Sequence, residues 1–212
     1  GLEETKQTLA DNTVLRSWTA HDIPSFRNLS LSNRSLPMVY VTSFKRWQDV
    51  DTWYKELFMP ATQLGSELTK VAAQIRETYP DPIDRIAAVL EHVEQRVLYE
   101  GVEFGNGAYL PRPAESTWTR RKGDCKDMVA VMVGLLKTLD IEAYPVLVRP
   151  KDAGPFMPYY PSPSQFSHVI ARITTRDGDV WIDPTAKLGT MNALPNVLRD
   201  APAFVVNGKG GE

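Results

Sequence analysis

Apolar residues between positions 47 and 97 recur at the spacing of amphipathic helices. Residues 47–58 carry such a pattern and predict a helix that ends before Pro60. A second helix is predicted over residues 63–79. A third begins at Asp81 and Pro82, because Asp is a favourable N-cap and Pro suits the first helical position.

The most apolar stretch of the chain follows Cys125. Nearly every side chain from there to about Leu139 is apolar, which predicts a helix buried on all sides. A short helix is predicted to follow residues 111–115. The segment of residues 150–166 is rich in proline and aromatic residues, and we expect it to rim a cleft as a fixed wall.

Strand patterns lie at both ends of the chain. Residues 13–18 and 38–42 are predicted strands near the N-terminus, and residues 142–149, 167–175 and 180–183 are predicted strands near the other end. A turn at Asp177 and Gly178 joins the last two, and pairing about it would place Arg172 near Asp183. Helices followed by antiparallel strands indicate an α+β fold with a segregated sheet.

The pattern also divides the chain. Residues 1–45 are predicted to be the tail of an upstream β-rich domain or a linker, and residues 46–212 form the predicted core. The chain starts with Gly1 rather than Met, which favours a processed piece of a longer protein with flanking domains. At 212 residues, the chain is long enough to bury a substantial core.

Composition narrows the function classes. The chain is 42% hydrophobic and 24% charged, as in an ordinary globular protein, and its net charge of −2 argues against general nucleic-acid binding. No apolar stretch is long enough to span a bilayer. A single cysteine excludes a disulfide within the chain and leaves the cellular compartment open.

Three residues suggest nucleophilic chemistry. Cys125 follows the predicted N-cap Asp124, so the free N–H groups of the first helical turn favour its thiolate. His168 lies at a strand start and Asp183 at a strand end, which gives a base and a group to orient it. Considered singly, such a cysteine is commonly a small buried hydrophobe and such a histidine an ordinary polar residue. The joint pattern makes a catalytic site the leading hypothesis.

The motifs that contain these residues resemble the transglutaminase-like superfamily, and in particular its bacterial members with an N-terminal β-rich domain. The resemblance covers roughly residues 45–190 and rests on residues 123–127, 166–168 and 181–185, with similarity also over residues 105–115 and 47–57. It implies a papain-like α+β core in which a central Cys-bearing helix packs on an antiparallel sheet.

In that fold Cys125 would be the nucleophile, His168 the general base and acid, and Asp183 the orienting group. The second oxyanion donor stays open between Tyr109 and Trp118. The resemblance implies acyl transfer on amide or peptide substrates, with water or an amine as acceptor. The acceptor decides whether the protein is a protease, a deamidase or a transglutaminase.

The alternative is a catalytically silent module that binds a peptide or another partner in the same groove. We expect no cofactor and no metal, since the chain shows neither an EF-hand nor a pattern of zinc ligands. Relatives of this architecture are commonly exported, which favours the bacterial periplasm or cell envelope.

Overall fold

A computed structural model of the chain describes residues 2–21, 40–101 and 105–211. The chain separates into two compact units, with the boundary between Val41 and Thr42. In the first unit, strands β1 (Leu2–Thr8) and β2 (Val14–Ala20) pair as an antiparallel hairpin. The structure confirms a strand near residues 13–18. The strand predicted over residues 38–42 is wrong for residues 40–42, which are irregular, and residues 38 and 39 lie outside the described residues.

The second unit contains the helices. They are α1 (Trp47–Phe58), α2 (Ser66–Thr78), α3 (Pro82–Arg96), α4 (Ala114–Arg120) and α5 (Cys125–Thr138). The predicted start of α3 is confirmed, because the Asp81 carboxylate accepts a hydrogen bond from the N–H of Ile83 at 2.8 Å. Each of these helices corresponds to one that the apolar pattern predicts.

A sheet lies against the helical layer. Its strands are β5 (Ala143–Val148), β6 (His168–Thr175), β7 (Gly178–Ile182) and β8 (Ala203–Val205), in the spatial order β7-β6-β5-β8 with every neighbouring pair antiparallel. The predicted α+β fold with a segregated antiparallel sheet is therefore confirmed.

Helix α5 occupies the centre of this unit. It packs against α3 and α4 as well as against β5 and β6, and Met128, Met132, Leu135 and Leu136 along it have no exposed surface. A helix with partners on all sides must be apolar nearly all round, which explains its composition. This position fixes Cys125, its first residue, between the helices and the sheet.

Two pairings are absent from the prediction. Strand β8 joins the edge of β5, with Val146 opposite Val205, and the short strands β3 (Leu98–Tyr99) and β4 (Lys122–Gly123) form a parallel pair. Segments of two or three residues are too short to show an alternating pattern. Their backbone pairing depends on contacts with residues far away in the sequence.

Gly134 lies where α5 closely approaches the segment of Thr62 and Leu64, and this approach yields a stability prediction. A Cβ built there would lie 2.4 Å from the carbonyl oxygen of Thr62 and 2.8 Å from a methyl group of Leu64. In an exposed helix, a change from glycine to alanine would stabilise by about 1 kcal/mol. At this position the backbone must move instead, so we expect Gly134→Ala to lower the free energy of unfolding by about 1–3 kcal/mol.

Urea denaturation measures this effect. The matched control is Lys137→Ala, one turn further along the exposed end of α5, which should change stability by less than about 0.5 kcal/mol. A stabilised Gly134→Ala variant would show that the close approach of the Thr62 segment does not exist.

Within the described residues, no helix is both long enough and apolar enough to cross a membrane.

Candidate active site

Cys125 begins the central helix α5 in the position that the sequence predicts. Asp124 is the N-cap, its carboxylate accepts from the N–H of Asp127, and the Asp127 carboxylate accepts from the N–H of Asp124 at 3.2 Å. This reciprocal capping box fixes the first turn. Cys125 is only 3% exposed and is not in a disulfide. The sulfur therefore lies at a rigid helix N-terminus, where free N–H groups and the helix dipole favour negative charge.

Both carboxylates of this turn have a cationic partner. Lys126 Nζ lies 2.5 Å from Asp124 Oδ2, and Arg112 Nη1 lies 2.6 Å from Asp127 Oδ2. The backbone N–H of Arg112 also donates to Asp127 Oδ1 at 2.7 Å. Asp127 thereby joins the segment before α4 to the start of α5. Burial raises the pKa of Asp124, although the hydrogen bond from Lys126 opposes that shift.

The predicted base and its partner are in direct contact. His168 Nε2 lies 2.9 Å from Asp183 Oδ2, while Asp183 Oδ1 accepts from the N–H of Thr185 at 2.9 Å and from its hydroxyl at 2.7 Å. Asp183 is 5% exposed, so these hydrogen bonds replace the water that a carboxylate would otherwise bind. Because Nε2 is engaged by Asp183, Nδ1 is the ring nitrogen left to interact with Cys125.

The hairpin register differs from the predicted one by two residues. Thr175 pairs with Gly178 and Arg172 with Trp181, so the turn consists of Arg176 and Asp177, and Arg172 does not lie opposite Asp183. Extending this register by one residue places Asp183 opposite Ile170. His168 and Asp183 are then diagonal neighbours on one face of the sheet, within reach of an imidazole and a carboxylate.

The charges of the site favour an imidazolium. Burial of His168 by itself disfavours the charged ring, but its hydrogen bonds to Asp183 and Cys125 and their negative charges dominate and raise the pKa of His168 from 6.5 to about 10. Burial likewise works against the charged form of Asp183, yet the hydrogen bond from His168 and its charge hold the pKa of that carboxyl below its usual value. The site is arranged for a positive ring between two negative groups.

A cavity of about 200 Å³ contains Cys125 and His168. Tyr109 and Lys126 line it with them, and burial raises the pKa of Tyr109, which keeps its phenol protonated. The described residues that line this cavity do not include Trp118. It is buried at 6% exposure, with the guanidinium of Arg96 5.3 Å from its ring centre. Of the two predicted oxyanion donors, the structure brings only Tyr109 to the cysteine.

Part of the cavity wall belongs to the segment of residues 150–166. Pro163 and Phe166 line the cavity, and the segment behind them is held by many hydrogen bonds. The buried Gln165 side chain bonds the backbone N–H and carbonyl of Met157 and the carbonyl of Tyr160, and Trp47 Nε1 donates to the Pro158 carbonyl at 2.6 Å. These hydrogen bonds connect the segment within itself and to the start of α1.

If cavity size alone were used to locate the functional site, a different part of the protein would be chosen. A groove of about 890 Å³ lies beside α1 and α5 and contains Lys55, Glu56 and Lys137, but neither a cysteine nor a histidine lines it. The candidate site is therefore chosen for its chemistry. The described residues include no cluster of three or more His, Cys, Asp or Glu side chains that could hold a metal ion.

The sequence did not reveal several residues that support this site. Lys126, Arg112 and Thr185 bond Asp124, Asp127 and Asp183 respectively, yet none was predicted to do so. For Thr185 a signal existed, because a threonine two residues after an aspartate commonly bonds back to that carboxylate. The pairing of Arg112 with Asp127 spans 15 residues and had no local signal.

The ion pair of His168 and Asp183 predicts a pH-dependent stability. His168 has a folded pKa of about 10 and an ordinary value of 6.5, so its contribution is fully present below pH 6.5 and is lost as the pH rises through 10. The difference in unfolding free energy between the unmodified chain and His168→Gln should therefore shrink by on the order of 1 kcal/mol or more between pH 6 and pH 10.

Urea denaturation at several pH values measures this difference. The control is the effect of His168→Gln in a chain that already carries Asp183→Asn. There the pH dependence assigned to His168 should largely disappear, because the carboxylate that raises its pKa is gone. A difference that stays constant from pH 6 to pH 10 would contradict the ion pair.

Comparison with known proteins places the chain in a family. A family model of the transglutaminase-like superfamily matches residues 69–184, more than half of the chain and the whole span from α2 to Asp183. The chain belongs to the transglutaminase-like superfamily. No functionally curated protein matches it.

Similarity to a solved structure supports the fold. A candidate protease from Parabacteroides distasonis superposes with a TM-score of 0.68 at 10% identity over 98% of this chain, and the chain spans 39% of that protein's length. Weaker similarities reach a candidate cysteine protease from Cytophaga hutchinsonii (TM-score 0.42, 18% identity, 69% of this chain and 50% of the other). The periplasmic domain of TgpA from Pseudomonas aeruginosa is similarly distant (TM-score 0.41, 17% identity, 73% and 53%).

Proposed function

We propose that the chain catalyses acyl transfer on amide or peptide substrates through a thioester on Cys125. The observation that carries the proposal is that His168, which lies 2.9 Å from Asp183, lines the same cavity as a thiol at a helix N-terminus. In this arrangement Cys125 is the nucleophile, His168 the general base and acid, and Asp183 the group that orients the imidazole.

The first half-reaction forms the acyl-enzyme. The thiolate of Cys125 attacks the amide carbonyl carbon, and the electron pair of the C=O bond moves to its oxygen. When the tetrahedral intermediate collapses, the C–N bond breaks and the imidazolium of His168 gives its proton to the departing nitrogen. An amine or ammonia leaves, and the acyl group remains on sulfur as a thioester.

The second half-reaction releases the acyl group. His168, now neutral, takes a proton from water or from an amine as that acceptor attacks the thioester carbon. The C–S bond then breaks, and the thiolate and the imidazolium are restored. Water gives hydrolysis or deamidation and an amine gives a cross-link, so the groups of the triad serve either outcome.

Two donors support the oxyanion in this proposal. The backbone N–H of Cys125 belongs to the first turn of α5, where N–H groups are directed towards the N-terminal end of the helix. The Tyr109 hydroxyl is the second donor, because it lines the cavity and its raised pKa keeps the proton in place. Such preorganised donors contribute most where water is excluded, as it is at a residue with 3% exposure.

The same proposal extends to the setting of the protein. The substrate would be a peptide or protein segment laid along the wall of residues 150–166. Residues 1–45 would be the tail of an upstream β-rich domain, and flanking domains would complete the full-length protein. We infer a place in the bacterial periplasm or cell envelope from the resemblance of the core to exported relatives.

Trapping the acyl-enzyme tests this function. The 212-residue chain is incubated with a mixture of short peptides that contain glutamine and ordinary backbone amides, with and without a primary amine. Mass spectrometry should find a peptide acyl group on Cys125 that hydroxylamine removes, together with cleaved, deamidated or amine-linked products.

The products identify the acceptor. Cleavage would indicate a protease, loss of ammonia without cleavage a deamidase, and amine incorporation a transglutaminase. Neither adduct nor product, at peptide concentrations that measurably bind, would contradict the proposal and favour a silent binding module.

A further inference from the structure

A conflict exists at the start of α5, where a nucleophile that acts as an anion lies beside carboxylates. Asp124 precedes Cys125 and Asp127 follows it by two residues, and the side chains of both are only 1% exposed. A negative charge within about 4–6 Å disfavours a second one, particularly in a buried setting. Left uncompensated, these carboxylates would work against the thiolate.

Lys126 resolves the part of this conflict that involves Asp124. Its ammonium lies 2.5 Å from Asp124 Oδ2, and its side chain is 3% exposed. A buried lysine is rare unless it is paired, and this one is paired with a residue whose capping role requires a side-chain oxygen but no charge. Asparagine would cap the helix as well as aspartate does, so helix capping does not explain the ion pair.

We propose that Lys126 is a positioning residue whose positive charge cancels the field of Asp124 at Cys125. It thereby sets the pH range over which the thiolate of Cys125 exists. This inference rests on the proposed function. Lys126 lines the cavity together with Cys125, so this residue borders the space in which the sulfur and the substrate carbonyl would meet.

The other described titratable groups around the first turn of α5 come from the sheet and from the segment before α4. From the sheet side come His168 at the start of β6 and Asp183 after β7, which bond each other. From the segment before α4 come Tyr109, which lines the cavity, and Arg112, which pairs with Asp127. Among the described residues, Asp127 and Asp183 therefore each have a cationic partner of their own, and Lys126 is the cation that pairs with Asp124.

Several charged side chains on the other elements packed against α5 have partners of their own. They include Glu115, which accepts from backbone N–H groups at the start of α2, Arg96 over Trp118, Lys122 with Glu100, Arg172 with Asp179, and Arg76 with Asp140. None of these pairs involves Asp124 or Asp127.

The test measures the alkylation rate of Cys125 by iodoacetamide, a neutral reagent, against pH. Lys126→Met should raise the midpoint of the rate profile by about one pH unit or more, because Asp124 is then uncompensated. Asp124→Asn keeps a capping side chain and leaves Lys126 uncompensated, so it should lower the midpoint by a similar amount. The double variant restores neutrality and should return the midpoint to that of the unmodified chain.

The matched control is Lys137→Met, which removes a lysine from the far, exposed end of the same helix and should leave the midpoint unchanged. A purely structural role for Lys126 would lower stability without opposite shifts in the two single variants. If Lys126→Met does not fold, Asp124→Asn and the double variant still test the inference. The midpoint of Asp124→Asn should differ from that of the unmodified chain, and the midpoint of the double variant should not.

The outcomes separate this inference from the proposed function. Opposite shifts that cancel in the double variant support the role of Lys126. An unchanged midpoint in Asp124→Asn, or a double variant that stays as high as Lys126→Met, overturns it. If the unmodified chain itself reacts only near the pKa of a free thiol, about 8.5, the proposed function fails and the inference fails with it.

Discussion

Cys125→Ala is expected to abolish turnover of amide substrates while the chain stays folded. The sulfur forms the covalent intermediate, and no other described residue in the cavity can replace it as a nucleophile of that kind. Removing the nucleophile of such a triad lowers kcat by on the order of 10³–10⁶. Measurement of kcat with the peptide found in the trapping experiment checks this expectation.

The control for this variant concerns the fold. Cys125 is small and packs in the core at the end of α5, so alanine should cost only on the order of 1–2 kcal/mol of stability. Thr138→Ala, at the opposite end of the same helix, is the matched variant and should keep full activity. Turnover in Cys125→Ala within a few-fold of the unmodified chain would remove the cysteine from the mechanism.

Asp183→Asn is expected to have the second-largest effect, a loss of about 10²–10⁴ in kcat/KM. Asparagine keeps a hydrogen-bonding oxygen but not the negative charge that holds the pKa of His168 at about 10. Without that charge the imidazolium is less favoured, and the ring is free to adopt the wrong tautomer. The substitution therefore affects proton transfer and leaves the shape of the cavity intact.

The pH profile shows whether the loss has this cause. In the unmodified chain, the rate should fall as the pH rises through the pKa of His168, because the proton for the leaving amine is then missing. In Asp183→Asn this alkaline limb should move to lower pH. Asp179→Asn is the control, since Asp179 lies on the same hairpin and pairs with Arg172 at 3.0 Å. An unmoved limb in Asp183→Asn would contradict the role of the carboxylate.

Local signals explain what the sequence predicted well. Asp81 before Pro82, and Asp124 before an apolar run, each specify a helix start through the capping residue itself, and both helices begin there. The uninterrupted apolar composition of α5 predicts a helix with partners on all sides. The residue types Cys, His and Asp at the ends of regular elements identified the candidate site.

Non-local contacts explain what was missed. The turn at Arg176 and Asp177 differs by one position from the predicted turn at Asp177 and Gly178, and that changes the pairing by two residues. Tyr109 and Trp118 are both aromatic residues near a short helix, and only their packing separates them. Trp118 lies under Arg96 in the core, whereas Tyr109 reaches the cavity.

Ion pairs were the least predictable part of the site. Lys126 and Asp124 are two residues apart in a polar motif, and nothing in that motif predicts that both side chains are buried. Their burial follows from the position of α5 between the helical layer and the sheet, which depends on the whole core.

The most direct test of the proposed acyl transfer is the pH dependence of Cys125 alkylation in the unmodified chain and in His168→Ala. Iodoacetamide should react with the unmodified chain well below pH 8, and His168→Ala should lose this low-pH reactivity. Reactivity that rises only near the pKa of a free thiol, about 8.5, and is the same in both proteins would contradict an activated thiolate–imidazolium pair.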